Sequence, residues 1–217
     1  MMSARAVDEA DEGAGQTEGA RVIAISERVL LERHRRGDPD AFPALVAAFR
    51  APVFGYLTRC GVASADRDDL FQEVFLRVHR AAGPNGTSEL PTGPVAPWLF
   101  TIAVNLVRSH FRKTTVRKIM TLDDTAAEKT ASASTAPDRA LESRRDLAWL
   151  DAAMQKLPLE QREALVLSSI EGLELSEIAT ALEVPTDTVK TRVRRARLAL
   201  AEARTRANVR AEREEAR

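Results

Sequence analysis

From Ser26 onward, apolar residues recur at helical spacing. Val29 and Leu30 precede a basic cluster, Arg33, His34, Arg35 and Arg36. Gly37-Asp38-Pro39 breaks the pattern, and Asp38 or Asp40 can cap the next helix. That helix carries Phe42, Leu45, Val46, Phe49, Val53, Phe54 and Leu57, the material of a bundle core. After a connection over 60–65, the stretch from Asp66 to Ala82 sets Leu70, Phe71, Val74, Phe75 and Val78 on one broad face. Asp69, Gln72, Glu73 and Leu76 share the opposite face, at i, i+3, i+4 and i+7. A leucine set among two acids and an amide is a candidate partner-binding patch.

Gly83 to Pro97 is rich in glycine and proline and predicts a loop. It leads into WLFTIAVNLVRSHFR, Trp98 to Arg112, which is apolar nearly all round. One narrow polar stripe remains, Thr101, Asn105, Arg108 and Arg112, bordered by Trp98 and Ser109 and extended by Lys113, Arg117 and Lys118. An aromatic beside an amide and a row of cations suits unpaired bases and their phosphates, because bases stack on flat rings while the backbone follows positive charge. Periodicity is lost from 114 to 139, which reads as a linker. It returns near Asp138, with Leu141, Leu147, Trp149, Leu150 and Met154, and stops at Leu157-Pro158.

The stretch from Leu157 to Arg206 then gives an apolar segment, a break at Glu171-Gly172, a short helix with Ile178, Ala179 and Leu182, a turn at Val184-Pro185, and a long basic helix. Two short helices with a tight turn, the second basic, form the plan of a helix-turn-helix. On the last helix Val189, Val193, Ala196 and Leu200 share one face. Asp187, Thr191, Arg194 and Arg195 point the other way, flanked by Lys190, Arg192 and Arg197; Thr186 or Asp187 can cap the start. Such a helix can lay side chains against base edges in a major groove while its guanidiniums hold phosphates.

The chain holds 32 basic and 32 acidic residues, but the balance hides segregation. Asp8, Glu9, Asp11, Glu12 and Glu18 make the beginning acidic, whereas Lys190, Arg192, Arg194, Arg195, Arg197, Arg204 and Arg206 crowd the last helix. Neutral total charge therefore does not argue against nucleic acid, since the local field decides. The single cysteine, Cys60, excludes an internal disulfide and a thiolate cluster. No metal site or cofactor is expected. No apolar run reaches the roughly 20 residues of a membrane span, and the acidic start is not a secretion signal, so a cytoplasmic protein without membrane insertion is expected. No glycine-rich phosphate loop, clustered His or Cys ligands or paired carboxylates in an apolar setting appears, which argues against an enzyme and names no catalytic residue. An autonomous helix-turn-helix regulator, binding operators as a dimer, would account for residues 157–206 but leave 66–113 unexplained.

Three stretches in this order, DRDDLFQEVFLRVHRA, WLFTIAVNLVRSHFRK and LPLEQREALVLSSIEGLELSEIATALEVPTDTVKTRVRRAR, resemble bacterial sigma factors of the sigma-70 family, and the short two-unit layout is similar to its extracytoplasmic-function group. The resemblance implies an all-α chain of two small helical domains on a flexible linker, the second a helix-turn-helix. The expected layout is a disordered acidic tail (1–25), a region 2-like domain (26–113), a linker (114–139), a region 4-like domain (140–207) and a frayed tail (208–217). It implies core RNA polymerase and promoter DNA as partners, with an anti-sigma factor holding the protein off. By that resemblance Asp69, Gln72, Glu73 and Leu76 dock on the polymerase clamp. Trp98, Thr101, Asn105, Arg108, Arg112 and Lys113 serve the −10 element. Lys190, Thr191 and Arg194 sit near −35 bases, and Thr188, Arg192, Arg195 and Arg197 near phosphates. The loop 83–97 is longer than is usual in the family and lacks its Phe-x-Gly pattern, and the acidic tail is an extension.

Overall fold

Helix α2 (Ala41–Arg59) shows why the first half of the chain folds as it does. Ala41, Leu45, Phe49, Val53, Tyr56 and Leu57 fall on one side and are buried; each large apolar side chain so buried contributes roughly 1.5–3 kcal/mol. α2 is also the described helix long and apolar enough to cross a membrane by composition. That same apolar side is the bundle core, and Arg50 lies over the rings of Phe54 and Phe71.

The structure, a computed structural model, describes residues 27–86, 89–120, 149–169 and 173–215. The expected tail over 1–25 and most of the linker, 121–139, lie outside the described residues, as do the helix onset over 138–148 and the Glu171-Gly172 break. Among the described residues the chain is helical, without strands. The first unit comprises α1 (27–35), α2, α3 (Ser64–Ala82) and α4 (Val95–Met120). Leu31, Phe49, Val53, Val74, Phe75, Val78, Leu99, Phe100 and Val104 form its centre. The second comprises α5 (149–155), α6 (Leu159–Ser169), α7 (Leu175–Leu182) and α8 (Thr186–Glu215), closed around Leu167, Ile178, Leu182, Val189, Val193 and Ala196.

Two helix ends lie beyond the sequence reading. α4 starts at Val95, with Pro97 inside its first turn, and continues through Met120, across the first residues read as linker. Nothing from Arg112 to Met120 breaks a helix: there is no Gly or Pro, and two threonines are too weak a penalty. α8 continues to Glu215, past Asn208 where fraying was expected, because Ala, Arg and Glu dominate that stretch and favour the helix. Its start also differs in detail. Thr186 is already helical, and the Pro185 carbonyl accepts from the Thr188 and Val189 N–H groups at 2.9 and 3.2 Å. Pro185 thus holds the cap position that the sequence assigned to Thr186 or Asp187.

The two units are not held apart. One continuous apolar cluster runs from the first unit into Met154, Leu157, Leu167 and Ile178 of the second. α4 packs against α7, and α2 against α6.

His34 gives the first unit a pH dependence. It is 4% exposed, stacks on Phe42 at 4.6 Å, lies 4.9 Å from His79, and its Nε2 meets no partner among the described residues. Burial, and then the neighbouring His79, lower its pKa below the ordinary 6.5. The unfolded chain takes up this proton near pH 6.5 and the folded chain resists it, so the contribution to stability is complete above that pH and is lost below it. The melting temperature should fall between about pH 7.5 and pH 5.5, and His34→Phe, which keeps the ring, should flatten that part of the profile. An unchanged slope in the variant would remove His34 as its source.

Candidate nucleic-acid and partner interfaces

Three surfaces carry the residues singled out from the sequence. On α3 the inward face, Phe71, Val74, Phe75 and Val78, is buried. This turns Asp69, Gln72 and Leu76 outward, with Leu76 42% exposed beside a groove. Glu73 is half-buried, accepts a hydrogen bond from Arg77 Nε at 2.8 Å, and is held below the usual carboxylate range chiefly by that bond. A shallow groove brings all four together with Phe42 and Val46 of α2 and His79 of α3. Phe42 and Val46, core positions by their spacing, also line this groove. Their place at the start of α2, where a buried stripe meets the surface, was the available sign of a second role.

On α4 the polar stripe is half-buried rather than open. Trp98 packs partly on the core; Thr101 and Asn105 are half-buried; Arg112 and Lys113 are exposed. Thr101 Oγ1 donates to the Pro97 carbonyl at 2.9 Å, one turn back. Arg108 does not face solvent freely. Its Nη2 and Nε donate to Glu163 Oε2 of α6 at 2.9 and 3.1 Å, and Nη1 lies 3.4 Å from the Leu182 carbonyl at the end of α7. Glu163 is fully buried. Burial pushes its carboxyl above the ordinary range, against the pull of Arg108. Beside it Tyr56 is also fully buried, its phenol driven well up by burial, with the Cys60 thiol and Glu163 acting in the same direction.

The neighbouring Arg162 is 7% exposed. It donates through Nη1 to the Cys60 carbonyl (2.6 Å) and Gln155 Oε1 (2.9 Å), and through Nη2 to the Gln155 and Leu157 carbonyls (2.7 and 2.9 Å). Burial lowers its pKa. In the sequence Arg162 and Glu163 stand in a polar run with Glu160 and Gln161, which reads as a solvated helix start. Two adjacent charges before the buried run Ala164 to Leu167 were the signal.

On α8 the buried side is Val189, Val193 and Ala196, with Leu200 half-buried against the core. Lys190, Thr191, Arg194, Arg195 and Arg197 are exposed, forming a cationic face. Lys190 Nζ is 3.1 Å from Asp187, and Thr191 Oγ1 donates to the Asp187 carbonyl at 2.9 Å. Thr188 is half-buried, and Arg192 is bound to Glu160 of α6 at 2.6 Å. Ahead of α8, α7 opens with the Glu174 N–H donating to Glu177 at 2.9 Å. It closes on Glu183 at φ 56°, the left-handed turn that reverses the chain into α8. The helix-turn-helix geometry is therefore complete, and its outward helix carries the charge. Farther along, Arg204 lies 5.0 Å over the Trp149 ring and ties α5 to α8.

Family comparisons match the same stretches. The family described as Sigma-70 region 2 matches residues 45–117, and Sigma-70, region 4, matches residues 147–200. The chain is 31% identical over 181 residues to the RNA polymerase sigma-H factor of Pseudomonas aeruginosa, covering 80% of this chain and 91% of that one. It is 30% identical over 183 residues to the ECF RNA polymerase sigma-E factor of Escherichia coli K12, covering 81% and 93%. Among solved structures it is similar to CnrH in complex with the cytosolic domain of CnrY, at TM-score 0.61 and 25% identity, over 82% of this chain and 96% of that one. With both region signatures in order and such identity across four fifths of its length, this chain belongs to the sigma-70 family of RNA polymerase sigma factors, in the extracytoplasmic-function group.

Proposed function

We propose that the chain divides the work of a sigma factor among these three surfaces. The α3 face with Leu76 docks on core RNA polymerase. The cationic side of α8 grips the −35 element as duplex. Trp98, Thr101, Asn105, Arg108, Arg112 and Lys113 take the −10 strand once it parts. The observation that carries this reading is the outward-facing Leu76 set in an apolar groove on α3, beside a helix-turn-helix whose exposed face is cationic. We take residues 26–113 and 140–207 as the two domain cores, with α4 and α8 running on beyond them to Met120 and Glu215. The protein works in the cytoplasm and needs no cofactor, because its part is recognition rather than bond-making. An anti-sigma protein is the partner we assign for keeping it inactive; the neighbour CnrH, solved with the cytosolic domain of CnrY, supports a protein partner. An autonomous operator-binding regulator accounts only for α6–α8 and leaves the region 2 match over residues 45–117 without a role.

Strand capture rests on a balance. Taking a base out of the stack costs a few kcal/mol, and stacking on an aromatic returns roughly 1–3 kcal/mol per base. A half-buried amide on the same stripe can add a hydrogen bond to a base edge, worth about 1 kcal/mol net. Asn105→Ala should therefore lower open-complex formation several-fold, read by permanganate reactivity of the −10 thymines, with closed-complex binding unchanged. Equal melting in the variant would take Asn105 out of the assignment.

A further inference from the structure

We infer that His34 is a positioning residue for the polymerase-docking groove: its neutral ring backs the groove wall, and a proton taken up there opens the wall and weakens docking. The inference rests on the docking role given to the α3 face, and extends it to a residue of α1 that lies outside the groove.

A cluster of rings joins α1, α2 and α3 at one end of the first unit. His34 of α1 stacks on Phe42 of α2 at 4.6 Å and lies 4.9 Å from His79 of α3. Phe42 in turn meets His79 edge-on at 5.2 Å and Phe75 at 6.4 Å. Phe42, Phe75 and His79 all line the groove that holds Asp69, Gln72, Glu73 and Leu76. His34 stands behind that lining, 4% exposed, and bears on Phe42 and His79. Its Nε2 faces the turn after α3, where a side-chain carbon on Gly83 would come within 3.4 Å. No carboxylate among the described residues bonds that nitrogen. On its own helix Arg33 is paired with Asp38 at 2.7 Å, and Arg35 donates to the Ala81 carbonyl at 3.0 Å. The titratable group whose charge acts on His34 is His79. α1 is a short helix, with Leu31 and His34 as its buried side chains, so this ring carries a large share of its attachment.

Protonation has one direction of effect here. A neutral imidazole packs on phenylalanine as another flat ring. An imidazolium in the same place is a buried charge, and its Nε2–H meets no acceptor. That charge is satisfied only when α1 lifts and the ring reaches water, where imidazole titrates near 6.5. The packed form is therefore favoured above that pH and loses ground below it. With α1 lifted, Phe42 and His79 lose the ring behind them, and the groove around Leu76 loses its shape. A proton on His79 adds to the repulsion. Docking is thus strong in neutral medium and weakens as the medium turns acid.

The test is titration of the labelled full-length chain with core RNA polymerase from about pH 7.5 to about pH 5.5, wild type beside His34→Phe. Polymerase and His79 titrate alike in both series, so the ratio of the two dissociation constants, wild type over variant, isolates His34. The ratio should be near one at the neutral end. It should rise about 5-fold or more at the acid end, within the limit of about tenfold per pH unit that one proton allows. Circular dichroism should show both chains still helical at the acid end, so that the loss reports the groove and not unfolding. A ratio that stays constant with pH overturns the inference, as does a wild-type chain that loses its helix before its docking. Should His34→Phe fail to fold, His34→Leu, also without a titrating group, takes its place in the same ratio. Leu76→Glu at neutral pH separates the two readings. Docking that needs Leu76 together with a flat ratio sinks the role of His34 alone. Docking indifferent to Leu76 removes the α3 face and this inference with it.

Discussion

Leu76→Glu should abolish stable association with core RNA polymerase while leaving the melting temperature within about a degree of wild type. Leu76 is 42% exposed, so the folded chain gains little from it and loses little when it changes. In a docked complex the same side chain would be desolvated within a groove walled by Phe42, Val46, Phe71 and Phe75. Burying a leucine side chain from water contributes roughly 1.5–3 kcal/mol, which is about 10- to 150-fold in dissociation constant. A carboxylate forced into that position adds a desolvation cost and a repulsion from Asp69 and Glu73, which share the groove. Titration of labelled protein with core polymerase measures the loss. A variant that binds as well as wild type would remove α3 as the docking helix.

Arg194→Ala should have the second large effect, and a different one. Arg194 is exposed on the cationic side of α8, opposite the buried Val189, Val193 and Ala196. A guanidinium that reads a base pair contributes about 1–3 kcal/mol of discrimination. Open-complex formation on a cognate promoter should therefore drop by roughly 5- to 150-fold, with polymerase binding intact. The loss should be larger on cognate than on unrelated sequence. Arg192 is a useful contrast, because its bond to Glu160 at 2.6 Å already engages it within the second unit. Arg192→Ala should act through the fit of α6 on α8 more than through DNA. Loss of polymerase binding in Arg194→Ala would contradict the role given to that helix.

The faces of single helices were legible because they obey a local rule. The spacing of Phe71, Val74, Phe75 and Val78 fixes where Asp69, Gln72 and Leu76 must point, and no distant residue alters it. The same holds for Val189, Val193 and Ala196 against Lys190, Arg194 and Arg195. Helix ends were less legible. Threonines and a loss of apolar rhythm ended α4 on paper, yet no Gly or Pro ends it before Met120. The meeting of the two units was not legible at all. Arg108 and Glu163 lie 55 residues apart, and Arg162 and Cys60 lie 102 apart. Periodicity says that Arg108 belongs to a polar stripe but cannot say that a carboxylate from α6 will fill it. Gly61 carried a faint signal, since a glycine just after a helix marks a left-handed turn; its second role, clearing space for Gln155 and Arg162, depends on a neighbour that spacing cannot name.

The division of labour among the three faces is tested most directly by transcription from promoter fragments with purified core polymerase, with and without this chain. Discrete transcripts should appear only when the chain is added, should vanish with Leu76→Glu, and should fall sharply with Arg194→Ala. Core polymerase that initiates at the same sites without the chain, or that starts nowhere in its presence, would contradict the account.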